Sequence, residues 1–301
     1  MRADLRSEGL ALGLMLAAFS PAVALAGPIT FSTALPVRTG GVILRQQLIW
    51  THAPDGPAPE LANGNVVALP TLLVWGAHRR LTLMTKLPFL IKDVAVENPG
   101  GGRIHRRTHG FGDMSLLLRL NAYQANARGR TLRVAPFVAL KLPTGTDSEA
   151  DSIARLPPRM QLGTGSWDPY GGVIVTFQTL DLEIDLSLSG FYRTAANQFD
   201  AGEELRADVS FQYRVVPWGE LSGEGVPTFL YAVLEGRAAW LGDDTGARAP
   251  SRSGGAVVHV TPGLQVVTVR YVVEAAVEVP VAQTPGNHVR AIPRLSFRAN
   301  F

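Results

Sequence analysis

Strict alternation of apolar and polar residues over segments of roughly 9 to 11 residues constrains this chain more than any other feature. In residues 180–192, Leu182 and Ile184 share one face of an extended chain, whereas Glu183 and Asp185 share the opposite face. A helix repeats every ~3.6 residues and would mix the two sets. The chain is therefore predicted to be all-β, with strands long enough to cross the hydrocarbon of a membrane at a tilt.

The same pattern predicts about twelve strands, and a single-chain bacterial barrel requires an even number. Their predicted bounds are 41–51, 65–76, 80–90, 112–123, 131–142, 170–178, 180–193, 204–216, 228–241, 255–262, 267–279 and 289–301. A soluble sandwich of two sheets also alternates, so alternation alone does not separate the two folds. Segment length, an export signal and the end of the chain favour a transmembrane antiparallel up-and-down β-barrel.

The connections between the predicted strands fit this topology. If the chain begins in the periplasm, outer connections should be long and inner connections short. The long candidate outer loops are 91–111, 143–169 and 242–254. The short candidate inner turns are 78–79, 178–179 and 263–266, while 124–130 is intermediate and 217–227 is longer than expected.

The first residues have the features of a secretory signal peptide. Two arginines precede the apolar run 10–23, and Ala24 and Ala26 supply the small residues that a signal peptidase requires. We therefore predict cleavage before Gly27, which makes residues 1–26 a signal peptide and residues 27–301 a single barrel domain. No later run is apolar enough to cross a bilayer as a helix.

Composition excludes several kinds of site. Cysteine is absent, which excludes disulfides, thiolate zinc sites and cysteine nucleophiles. The formal net charge of +3 is too small to indicate nucleic-acid binding without a clustered basic face. Aromatic residues near the predicted strand ends indicate the girdles of a membrane barrel. They are Trp50, Trp75, Tyr123, Tyr192, Tyr213 and Trp240.

The last segment alternates up to the final residue. Leu295, Phe297 and Phe301 share its apolar face, and Arg294 and Arg298 lie on the other. An aromatic C-terminal residue after alternating apolar positions resembles the signal read by the barrel-assembly machinery. We therefore predict that Phe297 and Phe301 act as an assembly signal and that this strand pairs with the first strand to close the barrel.

Four sequence blocks carry a resemblance to a known family. They are GFGD at 110–113, ALKLPTG at 139–145, LGTGS at 162–166 and TPGLQ at 261–265. In this order they are similar to the blocks of the outer-membrane barrels described as "putative MetA-pathway of phenol degradation", which are often labelled transporters. The resemblance implies location in the bacterial outer membrane and favours uptake of small, poorly soluble compounds.

Three functions follow as hypotheses. The first is a barrel that passes or binds small molecules, with hydrophobic or aromatic compounds as the expected class. The second is a structural or assembly barrel whose lumen is plugged, and the third is an outer-membrane lipid-modifying enzyme. No convergent catalytic set is evident, so we predict no enzyme activity, no catalytic residue, no cofactor and no metal.

Charged residues on the inward faces of the predicted strands are the candidate lumen lining. They are Arg119, Lys141, Asp181, Glu183, Asp185, Arg206, Asp208, Arg214, Glu235, Arg237, Arg270 and Glu274. These charges either pair across strands and stiffen a narrow barrel or form an eyelet that selects solutes by charge. His259, flanked by two valines in a predicted strand, is also expected in the lumen.

Two predicted outer loops carry concentrated charge. Residues 102–107 are basic and suit the phosphates of lipopolysaccharide. Asp147, Glu149 and Asp151 are acidic, but this spacing without a glycine turn is weak evidence for a divalent cation. The expected partners are thus outer-membrane lipid and lipopolysaccharide, the barrel-assembly machinery and a small solute of unknown identity, but no nucleic acid.

Overall fold

A computed structural model of the chain describes residues 26–53, 62–97, 102–217, 228–247, 249, 253–284 and 290–301. The predicted signal peptide lies, except for Ala26, outside these residues. The described residues contain fourteen strand segments. They are β1 (Val42–Ala53), β2 (Ala62–His78), β3 (Leu81–Glu97), β4 (Arg103–Phe111), β5 (Ser115–Leu120), β6 (Tyr123–Ala127), β7 (Arg130–Lys141), β8 (Asp168–Thr179), β9 (Leu182–Phe191), β10 (Glu204–Val216), β11 (Phe229–Leu241), β12 (Gly255–Val267), β13 (Tyr271–Gln283) and β14 (Ile292–Asn300).

The segments form one closed antiparallel sheet. Apart from β4, β5 and β6, each segment pairs with its neighbours along the chain, and β14 pairs with β1, with Leu48 opposite Leu295. Strands β4, β5 and β6 are pieces of one interrupted barrel strand, because β4 and β5 both pair with β3 while β5 and β6 both pair with β7. The fold is therefore a barrel of twelve strands, which confirms the predicted fold class and excludes the soluble sandwich.

The barrel has its apolar side chains outside and its polar side chains inside. On β9 the outward Leu188 is 52% exposed, whereas the inward Asp185 is 0% exposed. On β10 the outward Phe211 is 45% exposed and the inward Gln212 is 0% exposed. A water-soluble protein would expose the polar side chains instead, so the outer surface is one that hydrocarbon covers.

The aromatic residues named as girdle candidates all point outward and are exposed: Trp50, Trp75, Tyr123, Tyr192, Tyr213 and Trp240. Among the described residues, no helix has the length and apolar character that a membrane span needs.

Several predicted connections lie within strands. Residues 124–127 of the predicted connection 124–130 form part of β6, and the predicted inner turn 178–179 belongs to β8. The predicted inner turn 263–266 lies inside β12, which continues to Val267, and the chain reverses at 268–270. A proline and a glycine in TPGLQ suggested the turn, but both fit the ladder here. The predicted outer loop 91–111 is largely strand, because β3 extends to Glu97 and β4 begins at Arg103. Of the predicted long connection 217–227, all but Pro217 lies outside the described residues.

The basic segment 102–107 is consequently mostly strand rather than loop. Alternation on β4 turns Arg103, His105 and Arg107 outward and buries Arg106. Asp93 on β3 accepts a hydrogen bond from Arg107 Nε at 2.7 Å and lies 3.1 Å from His105 Nδ1. The outward face thus keeps a basic surface that one carboxylate partly neutralises, and its contact with lipopolysaccharide stays a prediction.

The C-terminal strand closes the barrel as predicted. Phe301 and Val42 exchange two backbone hydrogen bonds, of 2.8 and 3.1 Å. Leu295, Phe297 and Phe301 all point outward and are exposed. Phe297 stacks on Tyr271 of β13 with the ring centroids 5.7 Å apart. The role of Phe297 and Phe301 in assembly remains a prediction.

Candidate functional site

The N-terminal residues 26–41, here called the plug segment, lie inside the barrel before β1 begins. Its apolar side chains are buried among the inward faces of the strands, with Ile29 at 1% and Ala34 at 0% exposure. Sequence reasoning missed this segment. The available signal was a stretch of about fifteen residues without alternation between the predicted cleavage site and the first strand.

Hydrogen bonds from the plug segment to barrel carboxylates and hydroxyls fix it in the lumen. Glu235 on β11 accepts hydrogen bonds from the backbone N–H of Ile29 at 2.6 Å and of Thr30 at 3.1 Å. Farther along the segment, Thr176 of β8 accepts a hydrogen bond from the N–H of Ala34 at 2.7 Å. The plug segment is therefore bound to the barrel wall at more than one strand.

Cationic side chains of the barrel hold the carbonyl groups of the plug segment. Arg119 on β5 donates to Leu35 O at 2.8 Å and to Ser32 Oγ at 2.8 Å. Arg45 on β1 donates to Ile29 O at 2.8 Å and pairs with Glu274 at 2.5 Å. These contacts satisfy backbone groups that would otherwise be buried without partners.

A chain of ion pairs covers the wall formed by β10 to β14. Arg237 donates to Asp208 at 2.6 Å and lies 3.4 Å from Glu278, which also accepts a hydrogen bond of 2.8 Å from Arg294. His259 Nδ1 is 3.5 Å from Glu278, and neither ring nitrogen makes a hydrogen bond. Buried charges of both signs are thus compensated within this wall.

The inward carboxylates of β9 also meet polar partners. Asp185 accepts hydrogen bonds from Thr176 and, at 3.0 Å, from Gln212. Glu183 accepts one of 2.7 Å from Gln178.

Ten of the twelve lumen candidates lie on inward faces of strands. Arg119, Glu183, Asp185, Asp208, Glu235 and Glu274 are buried, and Lys141, Arg206, Arg214 and Arg237 are half-buried. The prediction is wrong for the other two. Asp181 and Arg270 are exposed in the turns before β9 and β13, because each strand begins one residue after them. Asp181 there pairs with Arg214.

A cavity of about 590 Å³ separates the plug segment from the wall formed by β2 to β9. This part of the wall is mostly apolar and aromatic and also carries the cations Lys86 and Arg119; its apolar lining includes Leu117, Phe137, Tyr170, Ile174 and Phe191. Tyr170 and Phe191 stack with centroids 4.9 Å apart. The volume lies in the range typical of small-molecule sites, so the lumen has a charged half and an apolar half with space for a solute.

A family model described as "Putative MetA-pathway of phenol degradation" matches residues 48–283. The chain belongs to this family. No relative is found among the curated proteins.

Solved structures with a similar fold are outer-membrane barrels. The COG4313 outer membrane channel from Pseudomonas putida F1 superimposes with a TM-score of 0.63 at 16% identity, covering 92% of this chain and 100% of that chain. The β-domain of the Bordetella autotransporter BrkA gives a TM-score of 0.47 at 11% identity, covering 87% of this chain and 100% of that chain. At these identities the likeness concerns the fold. This member of the MetA-pathway family is a channel-like barrel of the bacterial outer membrane.

Three of the four family blocks meet in one junction at the end of the barrel that carries the long connections, which we assign as the extracellular end because periplasmic turns are short in such barrels. Asp113 accepts hydrogen bonds from the N–H of Gly145 at 3.0 Å and of Thr164 at 2.9 Å. Lys141 lies 3.3 Å from Asp113 and also pairs with Asp168. Lys141, predicted as lumen lining, therefore holds the loop 142–167 to the ends of β5, β7 and β8.

The glycines of these blocks allow two backbone segments to touch. A Cβ atom on Gly163 would lie 2.3 Å from the carbonyl oxygen of Gly145, which no side chain tolerates. The fourth block touches the plug segment instead. Gln265 donates to Gly27 O at 2.5 Å, and a Cβ atom on Gly263 would lie 2.7 Å from Ile29 Cδ1.

The acidic side chains Asp147 and Asp151 of the extracellular loop accept hydrogen bonds from other side chains of the protein. Arg106 donates from Nε to Asp151 Oδ2 and from Nη2 to Oδ1, each at 2.6 Å, and this pairing holds the pKa of the Asp151 carboxyl well below its usual range. Asp147 accepts a hydrogen bond from Asn197 at 2.8 Å. Within the described ranges, no three His, Cys, Asp or Glu side chains converge closely enough to hold a metal ion.

Proposed function

We propose that this barrel conducts small, poorly soluble molecules across the outer membrane and that movement of the plug segment controls their passage. The observation that carries the proposal is the cavity of about 590 Å³ between the plug segment and the apolar half of the wall. A structural barrel has no need of such a space, since its inward side chains would fill the lumen.

The lining residues favour solutes with an apolar body. Leu117, Phe137 and Ile174 offer surface that gains free energy when a solute displaces water from it, at roughly 25 cal/mol per Å². The ion pairs of the opposite wall are satisfied by one another, so they bind an incoming solute less strongly.

The second candidate is a structural barrel with a permanently plugged lumen. The hydrogen bonds that Glu235 and Thr176 accept from the plug segment, and that Arg119 donates to it, favour this candidate. If the segment moved away, these groups would need water as their hydrogen-bond partner, and water would have to enter the lumen. The two candidates differ in one respect, namely whether the plug segment moves.

We propose no enzymatic role. Among the described residues, His259 is the one histidine on the inward face of a barrel strand. Its ring lies 3.5 Å from Glu278 and makes no hydrogen bond to a serine hydroxyl of the described residues. A nucleophile and base within hydrogen-bond reach are the minimum for acyl transfer.

Uptake of the fluorescent probe 1-N-phenylnaphthylamine by intact cells tests the proposal, because lipopolysaccharide slows entry of this apolar amine. Cells that express the protein should take up the probe faster than vector controls. Ser189→Trp, which places a ring in the cavity, should abolish the gain, whereas Leu188→Trp on the outward face of β9 should retain it. Equal uptake by expressing and vector cells, with the barrel assembled, would contradict the proposal.

A further inference from the structure

Lys86 stands out among the lumenal charges of the described residues because it has neither an ion pair nor a hydrogen bond. It lies on β3, lines the cavity, and remains exposed although the strand face that carries it points inward. The charged groups that act on it are the guanidinium groups of Arg206, Arg294 and Arg237. Because like charges repel, an anion that joins Lys86 among these cations is stabilised.

The rest of the cavity is also cationic. Its charged lining comprises Arg38, Arg45, Lys86, Arg119, Arg206 and Arg298 against the single carboxylate of Asp208. Asp208 is bound to Arg237 at 2.6 Å, and two of the lining cations pair with carboxylates outside the lining, Arg45 with Glu274 at 2.5 Å and Arg206 with Glu204. The cations at the cavity still outnumber these carboxylates, so its field is positive and attracts an anion.

An aromatic platform lies in the same cavity as these cations. Tyr170 and Phe191 stack at 4.9 Å with their planes 16° apart, and the guanidinium of Arg206 lies 4.8 Å from the centre of the Phe191 ring. Arg206 is also held by hydrogen bonds that its Nε, at 2.9 Å, and its Nη2 donate to Glu204. Its Nη1 group makes no hydrogen bond to the described residues, and the side chain lines the same cavity as the ammonium of Lys86. A ring or short chain would pack on the platform while its acidic group reaches the cations.

We propose that this cavity binds small organic carboxylates with an aromatic or otherwise apolar body, with the carboxylate on Lys86 and Arg206 and the body against Tyr170 and Phe191. The inference rests on the proposed function and narrows it from apolar molecules in general to amphipathic anions. Neutral analogues lack the group that compensates Lys86 and bind more weakly.

Binding to the purified full-length barrel in detergent tests the inference without relying on transport. The probes are 4-fluorobenzoate and its neutral analogue 4-fluorobenzamide, followed by ¹⁹F NMR line broadening, with protein-free micelles as the blank. We expect 4-fluorobenzoate to bind the wild-type protein at least about tenfold more tightly than 4-fluorobenzamide, as expected for one charge-assisted hydrogen bond.

Substitutions assign the preference to the cavity. Lys86→Gln should weaken 4-fluorobenzoate binding about tenfold and leave 4-fluorobenzamide unchanged, while Lys86→Arg should keep most of the affinity. Arg80→Gln, which removes an exposed charge from the turn between β2 and β3, is the matched control and should change neither. Phe191→Leu should weaken both probes. Heat modifiability on gels verifies that each variant is folded.

The outcomes separate this inference from the proposed function. Equal affinity for the two probes, or unchanged 4-fluorobenzoate binding in Lys86→Gln, would overturn the anion site even if uptake of apolar probes succeeds. Selective binding that depends on Lys86, together with no uptake in cells, would support the site and contradict the channel.

Discussion

Asp113 holds the extracellular junction more than any other single residue, because the N–H groups of Gly145 and Thr164 and the ammonium of Lys141 all converge on it. Asp113→Ala leaves the two N–H groups without their acceptor, while Lys141 keeps Asp168, and should cost about 1–3 kcal/mol of stability. We expect faster protease cleavage within 142–167 and a lower midpoint of heat modifiability. Asp200→Ala removes an extracellular carboxylate without a side-chain hydrogen bond to the described residues and is the control.

The two faces of β9 should differ in their tolerance of charge. Ile184→Arg places a guanidinium in hydrocarbon, at a cost on the order of 2 to 4 kcal/mol near the membrane midplane. Ser187→Arg points into the cavity of the lumen, where water can solvate the guanidinium, and should be mild. The yield of each variant on refolding into lipid vesicles measures the cost of its substitution. Equal losses at the two positions would be incompatible with the face assignment.

The pairing of Arg106 with Asp151 makes the extracellular loop sensitive to acid. Because Arg106 lowers the pKa of Asp151 in the folded state, the contribution is fully present above the unfolded pKa of about 4 and is lost as pH falls through the lower folded value. We expect the loop to resist pepsin at pH 4 and to be cleaved faster as the pH falls below about 2. Arg106→Gln should remove this pH dependence, and the same cleavage profile in both proteins would argue against the pairing.

Among the elements, the C-terminal strand connects the sequence most directly to assembly. Deleting Phe301 removes one outward ring, worth about 1.5–3 kcal/mol of burial, and so alters the folded barrel little. If the ring is also an assembly signal, the heat-modifiable band should weaken while periplasmic precursor accumulates. A truncated protein that reaches the outer membrane in normal amount would show that Phe301 has no such role.

The period of two made most strands predictable, because β9, β10 and β11 differ from their predicted bounds by only a few residues. The interruption of β4, β5 and β6 was not predictable, since it depends on the junction at Asp113, which residues distant in sequence complete. The plug segment was missed for the same reason. Its hydrogen bonds go to Thr176 and Glu235, and its own sequence has no regular period. The lumenal charges followed from alternation, but whether each was paired, as Asp208 is, or unpaired, as Lys86 is, required the register of the strands.

At the scale of the whole molecule, the barrel combines an apolar outer surface with a lumen divided into a charged wall, an apolar wall and a plug segment between them. The charged wall from β10 to β14 compensates itself, and the apolar wall leaves the cavity open. Three family blocks fix the extracellular junction and the fourth contacts the plug segment, so the family pattern reflects the architecture of the lumen more than a particular solute.

Conductance of a reversibly locked plug segment tests the central claim most directly. The hydroxyl oxygens of Thr33 and Thr176 are 3.0 Å apart, and the chain has no cysteine, so Thr33→Cys with Thr176→Cys should form one disulfide between the plug segment and β8. In a planar bilayer we predict low conductance while the disulfide is intact, a rise when reductant is added, and a return on reoxidation. Identical conductance of the oxidised and reduced protein in the same membrane would contradict a channel controlled by its N-terminal segment.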